Sequence, residues 1–295
     1  DINGLISQKI PGVPTLSELF SWKPVDFIKC INESSVYKTY FNQYILKGGF
    51  PRIALLNDLN TAQNIIREDI LDKTLKRDLT SYYGVRRFSA LENILLYFSL
   101  NDGSILDYKT LCENIEIKRR TAENLVDILE CIGLIRKIEP YGYGKDILRG
   151  KYKIYLGDPS CAPALFMRGL EILEDPTLYG KIVESIIAKH LHQYSISNIT
   201  PINYYQNKKN QEIDFILTIG YKKIPIEVKQ RSTHTDTRDA ACLVEFIREK
   251  QNEYGYLITK NCNDFGKLDE LPIMKIPAYI FCYWMGEHEG EQFSL

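Results

Sequence analysis

The sequence lacks the features that identify several large classes of protein. None of its seven cysteines forms a Cys-x-x-Cys pair, and an odd, scattered set argues against both a disulfide framework and a cysteine zinc site. No apolar run approaches the roughly 20 residues of a membrane-spanning helix, and no secretory leader is recognisable. We therefore expect a protein of the reducing cytoplasm, without a membrane partner.

An excess of charge of either sign is also missing. The 37 Lys and Arg residues nearly balance the 38 Asp and Glu residues, and the formal net charge is −1. Without a long-range basic field, any contact with nucleic acid must come from local patches. The 295 residues are 44% hydrophobic and 25% charged, which excludes a disordered chain and allows two or three globular domains.

A P-loop for binding nucleotide phosphates is absent. The stretch Gly142-Tyr143-Gly144-Lys145 has neither the spacing nor the final hydroxyl residue of the Gly-x-x-x-x-Gly-Lys-Ser/Thr pattern. Methionine is scarce, with three in all, and the first residue is Asp1. We therefore expect that these residues are a piece of a larger product and that the piece contains no ATP site of its own.

Three amphipathic helices followed by a β-hairpin are predicted between residues 88 and 157. This order of elements is that of a winged helix, a relative of the helix-turn-helix. Residues of the third helix and the hairpin would approach DNA phosphates or base edges: Lys118, Arg119, Arg120, Asn124, Lys145, Arg149 and Lys151. The alternative is a packing module whose charges are merely solvated.

An α/β region is predicted after residue 178. The pattern indicates a helix over 178–194, strands over 202–206, 212–219 and 224–230, a helix over 238–251, and strands over 254–259 and 278–283. In the second of these strands, strict alternation would place four apolar residues on one face: Ile213, Phe215, Leu217 and Ile219. Asp214 would then face the opposite side.

Acidic residues and a lysine converge in this region. Glu227 and Lys229 share one face of their strand, and a hairpin can bring Asp214 onto the same face. Glu184, beside the apolar stripe of the preceding helix, offers a third carboxylate. Such carboxylates suit Mg²⁺ or Mn²⁺, which can activate water at a phosphodiester, while an adjacent ammonium stabilises the transition state. The alternative is a solvated sheet face with an ordinary Glu/Lys pair.

These residues, in this order, resemble the PD-(D/E)xK nuclease superfamily, whose fold is that of restriction endonucleases. The variant with an acid on the first helix is similar to archaeal Holliday-junction resolvases. The resemblance implies that Glu184, Asp214 and Glu227 bind the metal. It also implies that Lys229 stabilises the reacting phosphate and that Gln230 holds a water or a strand phosphate.

More broadly, residues 45–230 resemble the C-terminal region of archaeal-type AAA+ ATPases. The matching stretches are Lys47-Gly48-Gly49-Phe50-Pro51, Lys153-Ile154-Tyr155-Leu156-Gly157-Asp158, Gly180 with Glu184, Tyr204-Tyr205, Glu212-Ile213-Asp214-Phe215 and Ile226-Glu227-Val228-Lys229. In that family a P-loop domain precedes a helical lid, a winged helix and a nuclease-like domain. The resemblance implies an ATPase tail and lid remnant over 1–85, a winged helix over 86–157 and a nuclease-like αβββαβ domain over 158–295.

Two functions stay open at this point. The first is the effector end of a P-loop ATPase that binds DNA and carries a magnesium-dependent nuclease site, with ATP bound only by an N-terminal domain outside these residues. The second is a non-catalytic docking module of such an ATPase. The partners expected are therefore DNA and the protein's own P-loop domain, and a homo-oligomer is compatible with either function.

Overall fold

The computed structural model describes residues 13–69, 73, 88–142, 151–231 and 235–287. Within these residues the α-helices are α1 (Pro24–Glu33), α2 (Ser35–Lys47), α3 (Pro51–Ala54), α4 (Leu59–Ile66), α5 (Phe88–Leu100), α6 (Tyr108–Ile115), α7 (Arg119–Cys131), α8 (Cys161–Phe166), α9 (Pro176–Asn198), α10 (Ala241–Lys250) and α11 (Ala278–Glu287). The strands are β1 (Ile135–Pro140), β2 (Lys153–Leu156), β3 (Ile202–Gln206), β4 (Glu212–Ile219), β5 (Lys222–Lys229), β6 (Gly255–Thr259), β7 (Gly266–Lys267) and β8 (Ile273–Pro277). The predicted mixed α and β class is confirmed.

The chain divides into two compact units. Unit 1 contains residues 1–42, 140–143 and 186–295, and unit 2 contains residues 43–139 and 144–185. The three-module division at 85/86 and 157/158 stays a prediction, and the first of those boundaries falls outside the described residues.

Unit 2 contains the three helices and the antiparallel hairpin of the predicted winged helix, namely α5, α6, α7, β1 and β2. Helix α6 begins where the Asp107 carboxylate accepts the Lys109 N–H at 2.8 Å, and it ends at Glu116 in the left-handed conformation. Helix α7 buries the stripe Ala122, Leu125, Val126 and Leu129. The order that the apolar periodicity predicted is therefore confirmed.

Two of the stretches that carry the resemblance, 47–51 and 153–158, lie against each other in unit 2, where the backbone at Gly48 approaches the Asp158 side chain closely. Gly48 has φ +74, and a Cβ there would lie 2.0 Å from Oδ1 of the buried Asp158. The Gly49 N–H donates to the other carboxylate oxygen of Asp158 at 3.2 Å. Ser160 donates its N–H (3.1 Å) and its hydroxyl to Asp158 Oδ1. The glycine at position 48 is therefore required both by its φ and by the carboxylate against it.

Unit 1 contains a sheet with the strand order β3-β4-β5-β6-β8-β7. Strands β3, β4 and β5 form an antiparallel meander, β6 and β8 continue from β5 in parallel, and β7 pairs antiparallel with β8. Helix α10 packs on β4 and β5. The order α9, β3, β4, β5, α10, β6 is the predicted αβββαβ order.

The predicted strand over 278–283 is wrong, because these residues lie in α11. The strand that pairs in parallel with β6 is β8, five residues earlier in the chain. Every residue of α11 from Ala278 to Gly286 is buried. A segment that is apolar on all sides shows neither a helical nor a strand period, so its sequence could not separate the two. Among the described residues, no helix combines the length and the apolarity needed to cross a membrane.

The predicted strict alternation along β4 is also wrong. Asn203 pairs with Ile216 and Tyr205 pairs with Ile213, so β4 has one residue more than β3 over this stretch. This β-bulge shifts the alternation by one position. Ile213 and Ile216 consequently share one core cluster, with Leu243 and Phe246 of α10 and Leu257 of β6.

Candidate functional site

The bulge in β4 positions Asp214. The extra residue lies between Ile213 and Ile216, where the ladder from β4 to β5 ends at the pair Phe215 and Ile226. Beyond Ile226, β5 continues its parallel pairing with β6. Bulges re-aim side chains next to functional sites, and here the strand distortion falls on the acidic residue itself.

Asp214 and Glu227 lie together and are buried, with exposed fractions of 7% and 4%. The Val228 N–H donates to Asp214 Oδ2 at 2.9 Å, and the Asp214 N–H donates to Glu227 Oε2 at 3.3 Å. The alternative of an ordinary solvated sheet face is therefore excluded for these two carboxylates. Buried carboxylates are costly unless they are hydrogen-bonded or paired, so this placement needs compensation.

The compensation includes Lys229, whose ammonium forms an ion pair with Glu227 Oε1. The two residues are two positions apart on one face of β5, as predicted, and the Lys229 side chain is 29% exposed. Asp214, Glu227 and Lys229 are thus assembled by two neighbouring strands of unit 1.

Gln230 follows at the end of β5 and is also buried. Its amide nitrogen donates to the Ile258 carbonyl at 3.1 Å. Its Oε1 atom is buried and has no hydrogen-bond partner among the described residues. A buried acceptor without a protein donor is costly, and such an oxygen is suited to accept from a water or to contact a cation.

Cys242, in the first turn of α10, belongs to the surroundings of this site and was not predicted. Burial raises the pKa of its thiol to about 12, and the negative charge of Glu227 is the next largest cause. Leu257 of β6 is in register with Glu227 and belongs to the apolar cluster that packs against α10. The Glu227 carboxylate therefore lies on the side of the sheet that α10 covers. Nothing in the sequence near Cys242 signals this proximity, because residues 230–240 separate β5 from the helix.

Glu184 lies in unit 2, on α9. Its Oε1 accepts the Tyr155 hydroxyl at 2.7 Å and lies 3.6 Å from Nζ of the buried Lys153. Its role as a third metal ligand stays a prediction. Among the described residues, no group of three or more His, Cys, Asp or Glu side chains is arranged to hold a metal ion.

The donor set of unit 1 nevertheless fits a hard divalent cation. Mg²⁺ usually keeps several waters and binds through one or two carboxylates together with substrate phosphates. Asp214 and Glu227 supply two adjacent carboxylates. Three protein carboxylates are therefore not required.

The second candidate surface is the start of α7 in the winged helix. Lys118, Arg119, Arg120 and Asn124 are exposed, as predicted. Arg119 is held in place, since its Nε lies 2.8 Å from Glu123 Oε1 and its guanidinium lies 5.5 Å from the centre of the Tyr108 ring. The exposed Lys151 precedes β2, whereas Lys145 and Arg149 lie outside the described residues.

Comparison with protein families gives two matches. Residues 38–200, more than half of the chain, match the family described as "Domain of unknown function (DUF8612)". The chain belongs to the DUF8612 family. Residues 179–279 also match "Domain of unknown function (DUF4143)", a domain typical of proteins associated with AAA ATPases. The second match covers all four candidate residues of unit 1.

Two relatives come from the archaeon Methanocaldococcus jannaschii. The chain is 33% identical to "Uncharacterized protein MJ1637" over 136 residues, which are 45% of this chain and 28% of that protein. It is 26% identical to "Uncharacterized protein MJ1544" over 237 residues, which are 78% of this chain and 51% of that protein. The chain thus spans about half the length of these curated relatives, or less. No solved structure matches the chain.

Proposed function

We propose that this DUF8612 chain is the effector region of a P-loop ATPase that binds DNA and hydrolyses phosphodiester bonds with a divalent metal. The main support is the placement of two buried carboxylates from neighbouring strands, Asp214 and Glu227, beside the ammonium of Lys229. The match to a domain typical of AAA-associated proteins agrees with a parent ATPase. The relatives are longer than the matched segments, which leaves room in them for a further domain.

In this proposal the side chains of unit 1 have separate roles. Asp214 and Glu227 hold Mg²⁺ or Mn²⁺, which supplies charge neutralisation and lowers the pKa of water at the site. Lys229 moves from Glu227 towards the substrate, where its ammonium offsets the charge that develops on the phosphate oxygens. Gln230 directs its amide oxygen to a water or holds a strand phosphate. Burial around the carboxylates strengthens these electrostatic interactions.

Metal binding tests the carboxylate pair. Isothermal calorimetry with Mn²⁺ should show binding by the unaltered chain and a loss of affinity of at least about tenfold in Asp214→Asn and in Glu227→Gln, because even partners of metal ligands change affinity by about 10- to 100-fold. Glu212→Gln, also on β4, is the matched control and should bind as the unaltered chain does. Equal heats in all four proteins would remove the metal assignment.

DNA cleavage tests the proposed role of Lys229. With Mg²⁺, branched or single-stranded DNA should be nicked, and Lys229→Ala should slow nicking by about 100- to 1,000-fold, the usual cost of removing a group that stabilises transition-state charge. Lys229→Ala should still bind Mn²⁺, which separates a catalytic defect from misfolding. If no form of DNA is cut at any metal concentration, the nuclease proposal fails.

A docking module is the second candidate. It is favoured by two hydrogen bonds that join Asp214 of β4 to β5, from the Val228 N–H to Asp214 Oδ2 and from the Asp214 N–H to Glu227 Oε2, because such bonds also suit a purely structural role. In that case Asp214→Asn should lower the melting temperature, and Mn²⁺ should not raise that of the unaltered chain. A metal-bound native state would instead be stabilised by added Mn²⁺ through mass action.

The winged helix should bind DNA through the exposed cations at the start of α7. Replacing both Lys118 and Arg120 with Gln should weaken DNA binding. It should also reduce the slope of log K against log salt concentration by about 2, since each phosphate contact contributes about 0.9 to that slope. Arg119→Gln should have a smaller effect, because its guanidinium is already paired with Glu123. Fluorescence anisotropy across a salt series measures this, with Lys29→Gln as the control. An unchanged salt slope in the double variant would favour a solvated surface.

A further inference from the structure

Unit 2 has a cavity that takes no part in the proposed nuclease function. It lies between the end of α5, the end of α8 and the first two turns of α9, and its volume is about 430 Å³. Sites for small ligands usually have volumes of roughly 300 to 1,000 Å³, with apolar walls and a few convergent polar groups. The cavity therefore has the size of a ligand site.

Two cations line this cavity. Arg168 follows α8, and Lys181 lies in the second turn of α9. One carboxylate accompanies them, that of Asp175, so the charged lining side chains carry one net positive charge. The Asp175 carboxylate is already engaged: its Oδ1 accepts the N–H groups of Thr177 and Leu178, both at 3.0 Å, and its Oδ2 lies 3.3 Å from Arg168 Nη1.

Both cations retain donors for a ligand. Arg168 has five N–H donors, and its one side-chain partner among the described residues is Asp175, through Nη1. Lys181 has three, and its partner in that part of the chain is the Leu100 carbonyl at 2.6 Å. Because neither partner uses all the donors, each side chain can bind an anion without giving up its present contact.

The rest of the wall is mainly apolar. Leu100, Phe166 and Leu178 line the cavity, and Leu100 is 56% exposed. Apolar surface that remains exposed beside two cations favours a ligand that combines an apolar group with negative charge, since burial of that surface adds about 25 cal/mol per Å².

We propose that this cavity binds a small organic carboxylate with an apolar tail. The carboxylate lies between Arg168 and Lys181, and the tail lies against Leu100, Phe166 and Leu178. A singly charged carboxylate matches the one net positive charge of the lining. The cavity shares no residue with the proposed metal site.

Octanoate serves as the probe in the test. The methyl-labelled 295-residue chain, titrated with octanoate, should show saturable shifts at the Leu100 and Leu178 methyls, with a dissociation constant in the millimolar range. Octanamide, which has the same tail without the charge, should bind at least about tenfold more weakly, since hydrogen bonds to a charged group are stronger than those to a neutral one.

Three variants of the cations separate charge recognition from non-specific apolar binding. Arg168→Gln and Lys181→Gln should each weaken octanoate binding at least about tenfold, and Lys181→Arg should largely preserve it. Lys109→Gln, an exposed lysine elsewhere in unit 2, is the matched control and should not change affinity. The proposal is overturned if octanamide binds as tightly as octanoate, if the Gln variants bind normally, or if the shifts occur away from the two leucines.

Discussion

Replacing Gly157 with alanine is expected to destabilise the chain by at least about 3 kcal/mol, at the upper end of the usual cost of overpacking. A Cβ on Gly157 would lie 1.9 Å from the Gly133 carbonyl oxygen and 3.1 Å from the Leu134 carbonyl carbon, and both are backbone atoms. The Gly157 N–H also donates to the Leu134 carbonyl at 2.8 Å. The end of β2 therefore cannot move away from the turn after α7 without losing this bond.

Gly133→Ala is the matched control for this prediction. Gly133 lies at the same junction with φ +75, but its Cβ would meet nothing within 4 Å. Only the left-handed conformation opposes alanine there, at a cost of about 1–2 kcal/mol. Urea unfolding followed by circular dichroism measures both variants. A Gly157→Ala chain as stable as Gly133→Ala would contradict the close approach of the two backbone segments.

Replacing Asp102 with asparagine is expected to stabilise the chain by as much as about 4 kcal/mol at pH 8 and hardly at all at pH 4. Asp102 is buried, and burial raises the pKa of its carboxyl to about 7, although the Ser185 hydroxyl and the Leu156 N–H oppose the rise. Asparagine can keep both hydrogen bonds, since Leu156 N–H donates to Oδ1 at 3.1 Å and Ser185 Oγ lies 2.6 Å from Oδ2.

The direction follows from linkage between protonation and folding. The folded pKa of about 7 lies above the ordinary value of 3.8, so the native state holds this proton more tightly than the unfolded state does. The resulting stability is fully present below pH 3.8 and is lost as pH rises to about 7. At about 1.4 kcal/mol for each pH unit, the loss amounts to about 4 kcal/mol, and asparagine avoids it.

Urea unfolding at pH 4 and pH 8 measures this difference, with Glu113→Gln as the control. Glu113 is an exposed carboxylate of α6 in the same unit, so its neutralisation should change stability little at either pH. If Asp102→Asn instead destabilises the chain equally at both pH values, the carboxylate is needed in its ionised, hydrogen-bonded form.

A substantial part of the candidate site follows from the sequence. The two-residue spacing of Glu227 and Lys229 puts both side chains on one strand face, and the hairpin brings Asp214 beside them. The burial of these groups could not be predicted from the sequence, because it depends on α10, which lies later in the chain. The burial of Lys153 could not be predicted either: this residue is 2% exposed and is paired with Glu184.

Local patterns thus determined the order of elements from α5 to β2 and from α9 to β6, and the meeting of Asp214 with Glu227 and Lys229. These depend on periodicity and on neighbouring strands, which short stretches of sequence encode directly. Tertiary structure decided that 278–287 is a helix, that β4 has a bulge at Asp214 and that Asp102 has a raised pKa. The physical reason is that burial and strand register depend on residues far apart in the chain, and no local pattern contains that information.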